Sequence, residues 1–193
     1  MLKRKDQARE ASIKKVRLII RESGDGIRRY HRRDYDAAEK SVKAARQHLI
    51  DLFDDLEQHP DLLSSNAVKA AMAEFTELLA VRKLLTEKDL PTLSEVGVSP
   101  AAYLSGIGDT IGEVRRHILN LLRKHDTEQA EEYLDIAENL YDALMGFDYP
   151  KAIVGDLRRK QDVARSLIER TRADVTNAIL QRDLSEKLEK YTG

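Results

Sequence analysis

Glu74-Phe-Thr-Glu77 and Asp109-Thr-Ile-Gly-Glu113 set four carboxylates at i,i+3 and i,i+4, so that on helices each pair projects from one face. Each pair sits in a fifteen-residue stretch, Ala67–Val81 or Pro100–Val114, that is nearly all apolar in a chain whose 193 residues are 35% charged. Lys69 is the only other charge in either stretch. A helix that is apolar nearly all round belongs in a core, where an ionised carboxylate costs several kcal/mol unless it is paired, hydrogen-bonded or bound to a metal. Four such groups point to a divalent metal site. Acidic residues also occupy narrow solvated stripes on otherwise apolar helices, but the neighbours argue against that here. The face of Glu74 and Glu77 carries Ala70, Ala71, Leu78 and Val81 in place of Lys, Arg or Gln, and Ser105, Gly106, Gly108 and Gly112 surround Asp109 and Glu113. Each interior glycine costs up to about 1 kcal/mol relative to alanine, which implies a close approach of another backbone or access to the acids. The glycine spacing is not that of a phosphate-binding GxGxxG loop, and no strand precedes it.

Three chemistries use paired carboxylates. A di-iron bundle adds Glu-x-x-His on two helices, and no Glu here has His three residues later. A glycosidase lines its cleft with aromatics, and this chain has no Trp, seven Tyr and three Phe. Oxygen-only ligands suit Mg²⁺, with Mn²⁺ as a substitute, and leave positions for water and substrate phosphates. Metal-dependent phosphodiester hydrolysis needs that arrangement.

Basic residues supply a grip for a polyanion. Arg28/Arg32 and Arg29/Arg33 are i,i+4 pairs, and Arg158, Arg159, Lys160 and Arg165 open the last helix. Such residues give salt-dependent, sequence-indifferent affinity for phosphates, although each pair alone also reads as a solvated helix face. Residues 1–50 carry fifteen Lys/Arg against seven Asp/Glu, residues 51–149 eight against twenty, and residues 150–193 ten against seven. One surface can then attract nucleic acid while another holds cations. Stacking platforms for single strands are few: Tyr30, Tyr35 and Tyr103 lie near the charges. His117, one turn after Glu113, suits either proton transfer or packing.

The elements that position these groups are helices. Apolar residues recur at helical spacing through Ile13, Val16 and Ile20, then, after a Gly24-Asp-Gly26 interruption, from Ala37 to Leu56, which reads as two long helices or one bent helix. Pro60 ends that unit, and Asp61 or Ser65 caps the helix of Glu74 and Glu77, which runs to about Leu85. Ser99-Pro100 starts the helix of Asp109 and Glu113, and Asp126 or Thr127 starts the next, which Gly146 closes. Leu157 to about Tyr191 reads as a long final helix. No strand pattern and no fixed repeat interrupts this, so the expected fold is all-α: one domain over residues 1–193, a bundle of about six to seven helices, several long and antiparallel. With no Cys there is neither a disulfide framework nor a thiolate site. The apolar runs fall short of the ~18 residues of a membrane span, and no signal-peptide core follows Met1, so a cytoplasmic protein is expected.

Tyr103-Leu-Ser-Gly-Ile-Gly-Asp-Thr-Ile-Gly-Glu113-Val-Arg-Arg, with the late segment Asp156-Leu-Arg-Arg-Lys-Gln-Asp-Val-Ala-Arg165, resembles the translin family, in a prokaryote-type, archaeal form. The resemblance covers essentially the whole chain. It implies an all-helical protein that binds single-stranded RNA, and also DNA, in a homo-oligomeric, octameric shell. Translin-associated factor X, the nuclease-type relative, carries catalytic carboxylates as Glu-x-x-Glu and Asp-x-x-x-Glu, which Glu74/Glu77 and Asp109/Glu113 match. Translin itself lacks the Asp, so Asp109 sides with the nuclease. The implied activity is Mg²⁺-dependent endoribonuclease, with all four acids as metal ligands and catalytic groups; the alternative is a non-catalytic single-stranded RNA- or DNA-binding protein. The chain is shorter than its eukaryotic relatives, with a brief segment between Thr86 and Ser99.

Overall fold

The computed structural model describes residues 2–192, and among the described residues there is helix and connector but no strand. The segments are α1 (Leu2–His31), α2 (Tyr35–Leu56), α3 (Pro60–Leu63), α4 (Asn66–Glu87), α5 (Leu93–Val96), α6 (Pro100–Leu122), α7 (Thr127–Met145), α8 (Lys151–Val154) and α9 (Leu157–Thr192). Three of them, α3, α5 and α8, are single turns, which leaves six long helices and bears out the all-α expectation. No helix among the described residues is long and apolar enough to cross a membrane.

Local chemistry sets the helix starts. Ser65 accepts a hydrogen bond from the Val68 amide at the head of α4, Ser99 from the Ala102 amide at the head of α6, and Asp126 from the Gln129 amide at the head of α7. Each fills one of the amides that a helix N-terminus leaves without a partner. Between α4 and α6, Thr92 and Glu95 exchange side-chain-to-backbone bonds in a capping box that opens α5. Hydrogen bonds from the Thr92 backbone and side chain, and then from Lys83, hold the Glu95 carboxyl down at about 2.

The expected interruption at Gly24 and Gly26 does not occur: α1 runs straight through both. Gly26 is there for packing, since a Cβ on it would lie 2.7 Å from a Leu78 methyl and 3.3 Å from the Ser41 Cβ. The chain turns instead at Arg33, whose φ of 62° is left-handed, and Asp34 then caps α2.

The chain forms two compact units: residues 1–107 with 152–155, and residues 108–151 with 156–193. In the first, α1, α2 and α4 pack around Ile19, Tyr30, Leu52, Leu56, Phe75 and Leu78, all nearly inaccessible to solvent. Tyr30 Oη donates to Glu39 at 2.6 Å and Arg82 Nε donates to the same oxygen at 2.6 Å, so one carboxylate ties three helices together. Burial alone would push the Glu39 carboxyl up, but the bonds from Arg82 and Tyr30 outweigh it and hold the group below the usual glutamate range.

In the second unit, α9 follows the C-terminal part of α6 in the same direction. Asp109 meets Lys160, Gly112 lies beside Leu167, and Arg115 donates to Thr171 at 2.8 Å and pairs with Asp174 at 2.8 Å. Against α7 the direction reverses: the Leu144 carbonyl accepts from Gln161, Tyr141 faces Arg165, Glu138 pairs with Arg172 and Thr127 accepts from Arg182.

Candidate functional site

Glu74 and Glu77 belong to the first unit and Asp109 and Glu113 to the second. On α4, Ala71, Met72, Phe75, Thr76, Leu78 and Leu79 are buried, as the apolar stretch requires, while Glu74 and Glu77 stay half-buried. Both acids of α6 are half-buried as well, with 35% of the Asp109 side chain and 23% of the Glu113 side chain exposed. The expectation of acids sealed in a core gives way to acids along open edges, where a carboxylate keeps part of its hydration and an ion can reach it.

Asp109 already holds a cation. Lys160 Nζ donates to both of its carboxylate oxygens, at 2.5 and 2.6 Å, across 51 residues of sequence. The glycine before Asp109 permits this: a Cβ on Gly108 would stand 3.0 Å from the Lys160 Cβ, so a side chain there would push the lysine stem away. One turn along, Glu113 pairs with Arg116 at 3.4 Å. Gly112, between the two acids, has room, its nearest neighbour being a Leu167 methyl at 3.8 Å. His117 places its ring edge-on against Tyr133, 4.5 Å between centroids, which is the packing alternative.

Taken unit by unit, the described residues hold no group of three or more His, Cys, Asp or Glu able to cage a metal. The chemistry of Asp109 and Glu113 nevertheless fits a hard divalent ion. Their donors are all oxygens, Mg²⁺ is commonly held by one or two carboxylates with water and phosphate oxygens completing its shell, and an ammonium already occupies the position that both Asp109 oxygens share.

The basic residues divide by role. Arg28 is exposed and pairs with Asp25; Arg32 and Arg33 are exposed at the turn after α1. Arg29 points inward and donates to the Ala37 carbonyl at 3.1 Å and Ser41 Oγ at 2.6 Å, which fixes the α1–α2 turn and takes its guanidinium away from a binding surface. Arg158 and Arg159 are open to solvent, with pairs to Asp148 at 3.2 Å and Asp156 at 2.9 Å. Arg165 Nε donates to the Tyr141 hydroxyl at 2.9 Å. Exposed pairs of this kind are worth at most about 1 kcal/mol and yield readily to a phosphate. Lys160 stands apart, with 16% of its side chain exposed and its charge on Asp109.

Two features escape a reading of the sequence. The Asp109–Lys160 pair is hidden because Lys160 looks like the third member of a solvated Arg-Arg-Lys run. A groove of about 290 Å³ between α7 and α9, lined by Glu138, Tyr141, Asp142, Arg165, Glu169 and Arg172, leaves only the i,i+7 spacing of Arg165 and Arg172 as a trace.

Comparison with known proteins adds to this geometry. A translin family model matches residues 7–173. An uncharacterized protein of Methanocaldococcus jannaschii is 30% identical over 190 residues, 98% of this chain and 84% of its own. Among solved structures, AfC3PO in a complex with duplex RNA matches with a TM-score of 0.86 and 31% identity over 94% of each chain. A crystal structure of AfC3PO matches with 0.83 and 33% over 94% of each, and apo-NeC3PO with 0.83 and 25% over 90% of each.

Proposed function

The chain belongs to the translin family, and from that premise we propose that it is a Mg²⁺-dependent endoribonuclease that cuts single-stranded RNA within a translin-type homo-oligomer. The observation that carries this reading is the Asp109–Lys160 pair, which brings the basic start of α9 to an oxygen-only ligand pair on α6. An RNA backbone gripped by Arg158 and Arg159 then runs beside the group that would hold the metal. The complex of AfC3PO with duplex RNA supports RNA as the ligand class.

In this proposal Asp109 and Glu113 would hold the ion from α6, and Glu74 and Glu77 on α4 are the further candidate acids. Bound there, Mg²⁺ would activate a water and stabilise charge on the attacked phosphate. The protein's own part is positional. Successive turns of α6 present Asp109 and Glu113 on one side, and the Arg115 clasp to Thr171 and Asp174 fixes the register of α9 so that its basic first turns stay at Asp109.

The direct test incubates the purified protein with labelled single-stranded and duplex RNA of one sequence, with Mg²⁺ and then with EDTA. Cleavage of the single strand with Mg²⁺ and none with EDTA is expected. Binding without cleavage would favour the second reading, a non-catalytic RNA-binding protein. Light scattering should give a particle several times the mass of one chain.

Neutralising Arg158, Arg159 and Arg165 together should weaken RNA binding about equally across sequences and lower the slope of log K against log salt by about two, near 0.7 for each single-strand phosphate that the protein ceases to neutralise. An unchanged slope in filter-binding titrations would remove these residues from the interface.

A further inference from the structure

We propose that Lys160 is a resident counter-cation that competes with the metal for Asp109: it holds the carboxylate in place while the ion is absent and must leave for the ion to bind. The inference rests on the reading of Asp109 as a metal ligand. Lys160 differs from its neighbours in the same helical turn: the Arg158 and Arg159 side chains are 83% and 68% exposed, whereas that of Lys160 is 16% exposed and its Nζ bridges both Asp109 oxygens. A surface lysine that meets a carboxylate by chance does not need a glycine opposite its stem, and this one has Gly108, where a Cβ would crowd the Lys160 Cβ at 3.0 Å.

Two cations cannot share this position. An ammonium within 2.6 Å of both oxygens fills the space that a divalent ion would take, and the two charges would repel at such close range. A lysine suits the task better than an arginine. Its charge is compact and rides on a flexible four-carbon stem, so the ammonium can swing away by side-chain rotation while the stem stays against Gly108 and the backbone is unmoved. Released beside a loaded metal, it is placed to meet a phosphate oxygen, which makes metal entry and substrate grip parts of one exchange.

The test measures Mn²⁺ binding by calorimetry and by electron paramagnetic resonance on wild type, Lys160→Met, Lys160→Arg and Asp109→Asn, with circular dichroism for folding. Lys160→Met keeps the stem and removes the charge, so Mn²⁺ should bind about tenfold tighter than to wild type, a difference of about 1.4 kcal/mol. Lys160→Arg keeps a cation on Asp109 and should bind Mn²⁺ no tighter than wild type, and in EDTA the Met variant should melt at a lower temperature because Asp109 has lost its cation. Lys160→Gln serves as the neutral variant if Lys160→Met does not fold. Asp109-dependent Mn²⁺ binding to wild type that is no tighter in the neutral variant overturns the competition and leaves the metal site standing. Mn²⁺ binding to neither wild type nor variant overturns the metal ligand itself, and the inference with it.

Discussion

Asp109→Asn is expected to lower single-turnover RNA cleavage at least about a thousandfold while leaving the fold and RNA binding in place. The substitution keeps the size of the side chain and one acceptor oxygen but removes the ligand's charge, and loss of a metal's charge stabilisation is worth several kcal/mol, each 1.36 kcal/mol being a factor of ten in rate. Its cost to stability is smaller. Lys160 keeps one hydrogen-bond acceptor but, at 16% exposed, loses its counter-charge, so about 1–3 kcal/mol is at stake. Circular dichroism and filter binding should match wild type. If Asp109→Asn and Glu77→Gln both cleave at the wild-type rate, the nuclease reading fails and the binding-protein reading replaces it.

Gly106→Val should be the most damaging single change to the fold. A Cβ at position 106 would fall against the Ala73 carbonyl oxygen and within 2.5 Å of the Thr76 Cβ, and neither can move without shifting α4, because Thr76 is fully buried and donates to the Met72 carbonyl at 2.8 Å. Overpacking against backbone costs about 3 kcal/mol or more, which for a chain of this length lowers the Tm by about 6–12 °C. Gly112→Ala is the control: the nearest atom is 3.8 Å away, so the gain in helix propensity should leave the Tm unchanged or raise it. A Gly106→Val protein melting within about 2 °C of wild type would show that α4 and α6 are not locked at this point.

Most of the fold is legible in the sequence because its signals are local. Ser65, Ser99 and Asp126 act as caps where hydroxyl and carboxylate residues precede apolar periodicity, and those bonds span three residues. Gly24 and Gly26 mislead because glycine usually marks a break, and only the distant Leu78 and Ser41 reveal why Gly26 must be small. The true turn at Arg33 carries no glycine and no proline, and only the capping Asp34 marks it. At the candidate site, spacing is enough to pair Glu74 with Glu77 and Asp109 with Glu113, and the apolar windows mark their helices. Degree of burial is not legible in the same way, since an apolar window does not say which narrow edge stays open. Adjacency groups Lys160 with Arg158 and Arg159, whereas the chemistry of its charge is set by a residue 51 positions away.

The parallel run of α9 along α6 bears on the order in which the molecule is built. The α1–α2 hairpin closes over a few residues, so the first unit can begin to pack while later segments are still being synthesised, helices joined by short loops being the fast part of any folding reaction. The bonds that join α6 to α9 span 51 to 59 residues and wait until the last helix has left the ribosome. Until then Asp109 stands on its helix without its lysine. A nascent or truncated chain ending before Lys160 therefore carries the acids of α6 with neither the cation that occupies Asp109 nor the basic turn that would hold an RNA beside it, and the completed protein acquires both in a single late step.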